Sequence, residues 1–420
     1  MYSAIKHYLK LLLGYSDLDW NFHKFENKIH PQTWRQHDFL LNWAQDYAKN
    51  FERYEVSDFY IQSEDLVVQQ GYYLREKVKR EYENKYADLK QLRILIHVPS
   101  MAHSPGGYSL FTNLAEGLQY VGIATRNLEW NDSIENALEE FKPTIFITSD
   151  NTSYLSRINW KSIAEYRKKN QFKLGLTASI DLDGNSLLDE RLAWARQHQV
   201  DFYYCFRAPE FIHEHYQPFF TNGYPVFSVE FGANPMTYYP VPNIKRDLDY
   251  VFFGSSNYDK WPRYFAYFTK LLTKNPGFID GPGWSKIRHW SSEDKNPNLE
   301  DITLRRNLER YLYARAKVGI NLHVNISIDY PSELNERTYM LAACGVPQLV
   351  DNARLLPLRF QPISMFIADN PLEYKRLFNE IKNNPEEAQK RALQAQREVF
   401  EKHTVFHRAE QFIKDLIKLK

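Results

Sequence analysis

From residue 93 onward, short apolar runs alternate with longer segments that have the periodicity of amphipathic helices. The apolar runs occupy residues 94–98, 144–148, 173–177 and 202–206, and the helical segments lie near residues 109–121, 160–169 and 187–199. Short apolar runs are typical of strands that are buried on both faces, and a helix between two strands returns the chain in parallel. The alternation therefore predicts an α/β fold with a parallel, doubly wound sheet.

A second α/β region is predicted after a turn-rich segment. Residues 223–242 are rich in Pro, Gly and Asn, as expected of a last strand followed by an interdomain link. Apolar and helical segments then resume at Asp249. Residues 1–92 are dominated by helical periodicity and charge. We therefore predict a helical extension at 1–92, α/β domains at 93–240 and 241–400, and a final helix at 401–420.

The overall charge argues against a nucleic acid partner. Lys and Arg number 53 and Asp and Glu number 52, so the net charge is +1 and gives no general attraction to a polyanion. The two cysteines, Cys205 and Cys344, lie in apolar segments, and no Cys and His spacing resembles a zinc site. We therefore predict a cytoplasmic protein without a bound metal.

The first 14 residues carry an apolar face formed by Tyr2, Ile5, Leu9 and Leu12. The segment is too short and too interrupted by charge for a signal peptide or a membrane-spanning helix. Two interpretations stay open: the face rests on a membrane surface, or it packs against the protein.

The segment from Glu333 to Asp351 combines a charged loop, a short helix of small residues and a buried strand. A helix N-terminus offers unpaired N–H groups and partial positive charge to a phosphate, and Arg337 can add a charge-assisted bond. Open α/β sheets bind ligands at the carboxyl ends of their strands, where Asp351 would lie. The segment predicts a site for a phosphate-bearing ligand, and an ordinary capped helix with surface charge is the alternative.

Four segments resemble, in the same order, the C-terminal half of GT-B glycosyltransferases, particularly the CgeB-like and group 1 families. They are Gly232-Ala-Asn-Pro with Tyr239-Pro240, the run Asp249-Tyr-Val-Phe-Phe-Gly-Ser, residues 313–323, and the loop at 333–338 with its Ala-Cys-Gly helix end. The resemblance implies two Rossmann-like domains facing across a cleft, with the final helix crossing back to the N-terminal domain. It also implies transfer of a sugar from a nucleotide-diphosphate sugar to a hydroxyl acceptor, with retention of configuration and without a metal or another cofactor.

The resemblance assigns donor binding to residues of the C-terminal half, and Arg263 is the preferred cation for the leaving diphosphate. The full set is Gly254, Ser255, Arg263, His323, Glu333, Asn335, Glu336, Arg337 and Thr338.

In the N-terminal half, a glycine-rich loop with Gly106, Gly107 and Tyr108 is expected near the donor phosphate or the acceptor. His103 in this loop and Asp181 after the 173–177 strand are the candidate catalytic residues. A tight βα turn and an Asx turn, respectively, are the structural alternatives.

One position departs from the family pattern. Met340 stands where the second of two family glutamates holds the donor ribose. Two further functions therefore stay open: a nucleotide-sugar-binding or scaffolding protein without turnover, and a dinucleotide-dependent oxidoreductase, although the G-x-G-x-x-G fingerprint is not present. The sequence leaves the sugar, the base, the acceptor and the oligomeric state undetermined.

Overall fold

The computed structural model describes residues 17–50, 63–178, 188–256, 260–287 and 302–419, with side chains from residue 21 and, after the last gap, from residue 308. The apolar face of residues 1–14 and the candidate Asp181 lie outside these ranges. Among the described residues, no helix combines the length and the apolar character that a membrane span requires.

The helices are, in chain order, α1 (Asp17–Glu26), α2 (Pro31–Arg35), α3 (His37–Lys49), α4 (Leu66–Tyr82), α5 (Pro105–Tyr120), α6 (Ile134–Phe141), α7 (Thr152–Leu155), α8 (Trp160–Lys169), α9 (Leu188–Gln197), α10 (Pro209–His215), α11 (Gln217–Thr221), α12 (Trp261–Leu272), α13 (Ile302–Ala314), α14 (Asn325–Asp329), α15 (Glu336–Ala343), α16 (Leu356–Arg359), α17 (Pro371–Asn383), α18 (Pro385–Lys402) and α19 (Val405–Ile417). The strands are β1 (Arg93–His97), β2 (Ala124–Leu128), β3 (Ile145–Ser149), β4 (Lys173–Thr177), β5 (Phe202–Cys205), β6 (Val226–Ser228), β7 (Val251–Phe253), β8 (Phe278–Asp280), β9 (Gly319–Asn321), β10 (Gln348–Asp351) and β11 (Phe366–Ala368).

The chain divides into two compact units, each made of separate segments. The six-stranded unit comprises the described residues of Tyr73–Met236, Asp329–Tyr339 and Glu398–Lys420. The five-stranded unit comprises those of Met1–Tyr72, Thr237–Ile328 and Met340–Arg397. Each unit contains one parallel sheet, so the predicted α/β class with parallel sheets is confirmed.

The six-stranded sheet has the strand order β2-β1-β3-β4-β5-β6, with all neighbours parallel. The order reverses between β1 and β3, which pair directly through Ile94 and Ile145. Crossovers on either side of such a switch point leave on opposite faces of the sheet, so a crevice forms beyond the carboxyl ends of the two strands. His97 and Ser149 are the last residues of these strands and mark the expected ligand position in this unit.

The five-stranded sheet repeats this topology with the order β11-β10-β9-β7-β8. Its switch point lies between β7 and β9, which pair at Val251 and Gly319. The segments that follow these strands, from Gly254 and from Leu322, therefore meet at the edge where the sheet is expected to bind ligands.

The helices before residue 50 belong to the core of the five-stranded unit. Phe22 of α1 stacks on Trp261 of α12 with ring centroids 4.4 Å apart. The fully buried Glu26 carboxylate accepts hydrogen bonds from the N–H of Ser285 at 2.7 Å and from its hydroxyl. These contacts bury aromatic rings and satisfy a buried carboxylate. The helix α1 therefore stabilises the five-stranded unit.

The last helix completes the six-stranded unit. The hydroxyl of Thr404 and the ring of His407 form a capping box at the start of α19. Just before it, Ala233 and Thr404 form a parallel bridge, in which the N–H of Val405 donates to the carbonyl of Ala233 at 2.9 Å. Phe406 then stacks on Tyr120 of α5 with ring centroids 4.3 Å apart. The end of the chain thus covers α5, one of the first helices of this unit.

Candidate functional site

Three polar side chains converge at the strand ends of the five-stranded unit. Asp351, at the end of β10, accepts a hydrogen bond from the backbone N–H of His323 at 2.9 Å and lies 2.6 Å from Nδ1 of the same residue. A guanidinium nitrogen of Arg263 in α12 lies 2.5 Å from Oδ2 of Asp351, the same oxygen that accepts from the backbone N–H of His323. One buried carboxylate therefore positions a histidine and an arginine at the edge where ligand binding is expected.

The charge state of Asp351 follows from these contacts. Burial by itself would raise the pKa of this carboxyl group, but the attraction of His323, its hydrogen bonds and the charge of Arg263 outweigh burial and hold the pKa below its usual value. Since the carboxylate is ionised at neutral pH, Nδ1 of His323 must carry the proton that it donates. The bond from Nδ1 to Asp351 thus fixes the orientation of the His323 ring.

The turn after β7 is hydrogen-bonded to the end of β8 and to the residues that follow it. The N–H groups of Gly254 and Ser256 donate to the carbonyl oxygens of Asp280 and Pro282, each at 2.8 Å. The N–H groups of Gly254 and Ser256 are therefore engaged within the protein, and donor binding by Gly254 and Ser255 stays a prediction. Nζ of Lys260 lies 2.6 Å from the hydroxyl of Ser255, so these two polar side chains meet at this turn.

The acidic loop before α15 belongs to the six-stranded unit. Glu333 forms an ion pair with Arg207. The side chain of Asn335 accepts hydrogen bonds from the N–H and the hydroxyl of the buried Thr338, each at 3.1 Å, as an N-cap does. Arg337 is half-buried in the first turn of the helix. The donor-binding residues predicted from the sequence thus fall into two groups, one in each unit.

Glu336 takes part in a polar network with α5. Its carboxylate accepts hydrogen bonds from the hydroxyl of Ser109 at 3.3 Å and from the amide of Asn113 at 3.1 Å. The amide of Asn234 in turn donates to Asn113 and to Glu116. The adjoining pocket measures only about 20 Å³, which suits a single water rather than a sugar. Glu336 is therefore part of a hydrogen-bonded network within this unit, and its role in donor binding stays a prediction.

A histidine and aromatic cluster lies at the switch point of the six-stranded sheet. His103 is exposed, stacks on Trp130 with centroids 4.5 Å apart, and has Nε2 3.1 Å from the hydroxyl of Ser153. His97, the last residue of β1, stacks on the same indole at 5.4 Å and bonds the hydroxyl of Thr148 at 2.9 Å. Tyr154 meets Trp130 edge-on at 5.0 Å. The candidate base His103 is thus held in place by an aromatic wall.

The two histidines of this cluster have different surroundings. Burial and, secondarily, the charge of Arg157 lower the pKa of His97 to about 4, so its ring is neutral at physiological pH. The His103 side chain is exposed to solvent. The cluster therefore combines one buried, uncharged histidine with one exposed histidine.

The glycine-rich segment after His103 forms a helix turn rather than the predicted loop. Ser104 caps α5 through the N–H of Gly107 at 3.2 Å, and Pro105 occupies the first turn. Gly107 is needed because a Cβ there would lie 2.8 Å from the Ser104 hydroxyl oxygen and 3.0 Å from that of Tyr154. Gly106 and Tyr108 therefore lie in a helix N-terminus, where N–H groups favour an anion.

The sequence placed Asp351 at the ligand-binding edge, because it ends a predicted strand, but gave it no role as the partner of Arg263 and His323. It did not predict Trp130 as the support of His103, because this stacking depends on side chains from two other segments. Within the described part of the chain, no three His, Cys, Asp or Glu side chains are grouped as a metal site would require.

The segment that contains most of the predicted donor-binding side chains matches a known protein family. Residues 268–414, which include His323, the acidic loop and Asp351, match a family model described as Glycosyl transferase-like. The chain has the GT-B fold, and its residues 268–414 form a glycosyltransferase-like domain. Among solved structures, the chain is similar to an alpha-glucosyltransferase in complex with UDP-glucose and DNA containing an abasic site, with a TM-score of 0.54 and 12% identity over 78% of this chain and 99% of that chain.

A second similar structure is sucrose-phosphate synthase from Thermosynechococcus elongatus, with a TM-score of 0.49 and 14% identity over 78% of this chain and 99% of that chain. No curated protein sequence matches this chain with significance. The similarity with the TM-score of 0.54 confirms the predicted fold, and the family match over residues 268–414 supports the predicted class of enzyme.

Proposed function

We propose that this protein is a glycosyltransferase that moves a sugar from a nucleotide-diphosphate sugar to a hydroxyl acceptor, with retention of configuration and without a metal ion. The observation that carries the proposal is the Arg263–Asp351–His323 arrangement at the switch point of the five-stranded sheet, inside or beside the segment that matches the family model. A nucleoside diphosphate needs cations and hydrogen-bond donors in a fixed position, and this arrangement offers both.

The leaving group explains why the cations matter. When the bond between the anomeric carbon and the phosphate oxygen breaks, negative charge builds up on the diphosphate. Arg263 is fixed by Asp351 and lies with its guanidinium 5.1 Å from the ring centroid of Tyr267, and Lys260 lies one turn earlier beside Ser255. We assign these two side chains to the diphosphate. This placement supports metal independence, because fixed protein cations can supply the charge that a metal supplies elsewhere.

The acceptor side is assigned to the six-stranded unit. His103 is the proposed group that accepts or orients the proton of the acceptor hydroxyl, since its ring is exposed, fixed on Trp130 and bonded to Ser153. Asp181 is retained as the second proposed catalytic residue from the sequence. Gly106, Gly107 and Tyr108 begin α5 and are proposed to present its N-terminus to an anionic part of the substrate.

The donor assignment can be tested with thermal shifts in the presence of UDP, GDP, dTDP, CMP, their common sugar conjugates and NAD. We expect one nucleoside diphosphate and its sugar conjugates to raise the melting temperature, because a ligand that binds only the native state stabilises it. Arg263→Ala should weaken that affinity about 10- to 100-fold, as expected for loss of a hydrogen bond to a charged group. Arg376→Ala, which removes an exposed arginine of α17, is the matched control.

An assay of donor turnover distinguishes a transferase from a binding protein and tests whether transfer requires a metal ion. Release of the nucleoside diphosphate in the presence of EDTA would support metal-independent transfer, and loss of release in EDTA would contradict it. Donor binding without any release, with water or with a panel of saccharides, would favour a binding protein. A thermal shift with NAD but with no nucleotide sugar would reject the proposal in favour of a dinucleotide enzyme.

A further inference from the structure

A second, basic pocket of about 370 Å³ lies in the six-stranded unit, away from the strand ends described above. It is formed by α8 and by the last residues of α9 with the turn that follows, and its polar and aromatic lining consists of Trp160, Arg167, Lys168, Gln197, His198 and Gln199. Because Gln197 to Gln199 precede β5, the basic pocket lies toward the amino ends of the parallel strands. It is therefore separate from the edge that carries His103.

One wall of the basic pocket is aromatic and fixed. Trp160 meets Trp194 edge-on at 4.7 Å, and His198 stacks on Trp194 at 4.1 Å. The indole N–H of Trp160 donates to the carbonyl of Leu155 at 2.8 Å, which sets the orientation of the ring. Burial lowers the pKa of His198, so at neutral pH its ring presents an uncharged face. Rings held in this way offer flat apolar surface without an entropy cost on binding.

Another part of the lining of the basic pocket is cationic. Arg167 is oriented by Asp201, 2.9 Å away, and by the carbonyl of Gln199, while Lys168 is exposed. Residues 160–173 and 196–201, which surround the pocket, carry six Lys or Arg side chains and two carboxylates, although the whole chain has a net charge of only +1. This local excess of positive charge favours an anionic ligand.

We propose that the basic pocket binds an acidic saccharide. The aromatic wall suits the apolar face of a sugar ring, the amides of Gln197 and Gln199 can both donate to and accept from hydroxyls, and the cations suit a carboxylate or sulfate group. A pocket of this volume, with a few oriented polar groups on an aromatic surface, matches a small-molecule site. A long polyanion such as nucleic acid would instead need a basic surface that extends over many phosphates.

A neighbouring pocket indicates that the ligand extends beyond one ring. Leu155 and Trp194 line this second pocket of about 340 Å³ together with Asp150 and Arg191, which form an ion pair at 3.2 Å. Asp150 follows β3, so this pocket reaches the carboxyl edge of the sheet. Because Trp160 and Trp194 are in contact, the same aromatic wall borders both pockets. An oligosaccharide can therefore occupy both, with its acidic unit in the basic pocket.

The inference goes beyond the proposed transfer reaction and can be tested by titration calorimetry on the full chain. The probes are a tetrasaccharide of galacturonic acid, neutral maltotetraose and inorganic phosphate. We expect the acidic tetrasaccharide to bind at least tenfold more tightly than the other two. Lys168→Glu should weaken this binding about tenfold. Lys169→Glu makes the same charge change in the same helix turn, outside the pocket lining, and should change affinity less than threefold.

Three other results would each overturn the inference. Equal affinity for maltotetraose would show that charge is not recognised, and equal affinity for phosphate would show an anion site without sugar recognition. Equal weakening by both variants would show general electrostatic attraction. A nucleotide-sugar thermal shift, measured in parallel, is independent of this outcome: a shift without tetrasaccharide binding overturns only this inference, and tetrasaccharide binding without a shift overturns only the proposed donor site.

Discussion

At the scale of single residues, buried or half-buried carboxylates organise both units. Asp351 fixes a histidine and an arginine at one sheet edge. In the six-stranded unit, Glu410 of α19 accepts hydrogen bonds from the hydroxyls of Tyr82 and Tyr86 at 2.9 and 2.6 Å and pairs with Lys85 at 3.1 Å. Each carboxylate ties together segments that are far apart in sequence. The local structure around each of these groups therefore depends on the carboxylate being ionised.

Glu410 predicts how the six-stranded unit responds to acid. Burial acts to raise the pKa of Glu410, but its bonds to Tyr86, Lys85 and Tyr82 lower the pKa to about 2 from a usual value of 4.5. Since the pKa is lower in the folded state, the ionised group stabilises the fold at pH values above 4.5, and this contribution is lost as the pH falls toward 2. We expect Glu410→Gln to lower the free energy of unfolding at neutral pH and to flatten its decline in acid.

The measurement is urea unfolding at a series of pH values, followed by fluorescence. Glu401→Gln, which neutralises an exposed carboxylate at the end of α18, serves as the control and should leave the decline unchanged. If Glu410→Gln shows the same dependence on pH as the unsubstituted protein, the stabilising role of the ionised carboxylate is wrong.

At the scale of elements, two glycines of α5 are predicted to respond in opposite ways to alanine. A Cβ at Gly117 would lie 2.8 Å from the carbonyl oxygen of Val405, so Gly117→Ala should push α19 away from α5 and cost about 1–3 kcal/mol. At Gly106 a Cβ meets nothing within 4 Å, and Gly106→Ala should be neutral or stabilise by up to about 1 kcal/mol. Thermal unfolding of the two variants checks this, and similar melting temperatures would contradict the close contact.

The elements were more predictable from sequence than the site. The predicted helix at 160–169 and strand at 173–177 coincide with α8 and β4, because amphipathic periodicity and a short apolar run are local signals. The start of α5 was predicted four residues late, since Gly106 and Gly107 indicated a turn, whereas Ser104 and Pro105 cap a helix. Arg263 and His323 were predicted as site residues, but their shared partner Asp351 lies 88 and 28 residues away in sequence. Such pairing depends on tertiary packing, which no local pattern encodes.

At the scale of the whole molecule, neither unit is a continuous stretch of chain. The five-stranded unit uses helices from before residue 50, and the six-stranded unit uses α19 from the other end. Phe406, Phe412 and Ile413 of α19 are fully buried. The stability of each sheet therefore depends on residues that are remote in sequence.

Removing α19 tests this dependence. A chain that ends at residue 403 should lose about 5 kcal/mol or more from the six-stranded unit, because several buried aromatic and aliphatic side chains are removed together. Hydrogen exchange should then accelerate in β1 to β6 while β7 to β11 keep their protection. A chain that ends at residue 417 is the control. Equal acceleration in both sheets would show that the units do not unfold separately.

The closing of the six-stranded unit by α19 has a consequence for biosynthesis. The last strand of that sheet ends at Ser228, yet the helix that covers α5 spans Val405–Ile417. On the ribosome, the sheet is complete long before its covering helix emerges. The apolar surface of α5 therefore stays exposed until α19 has left the exit tunnel, and during this interval the nascent chain is the form most in need of chaperone protection.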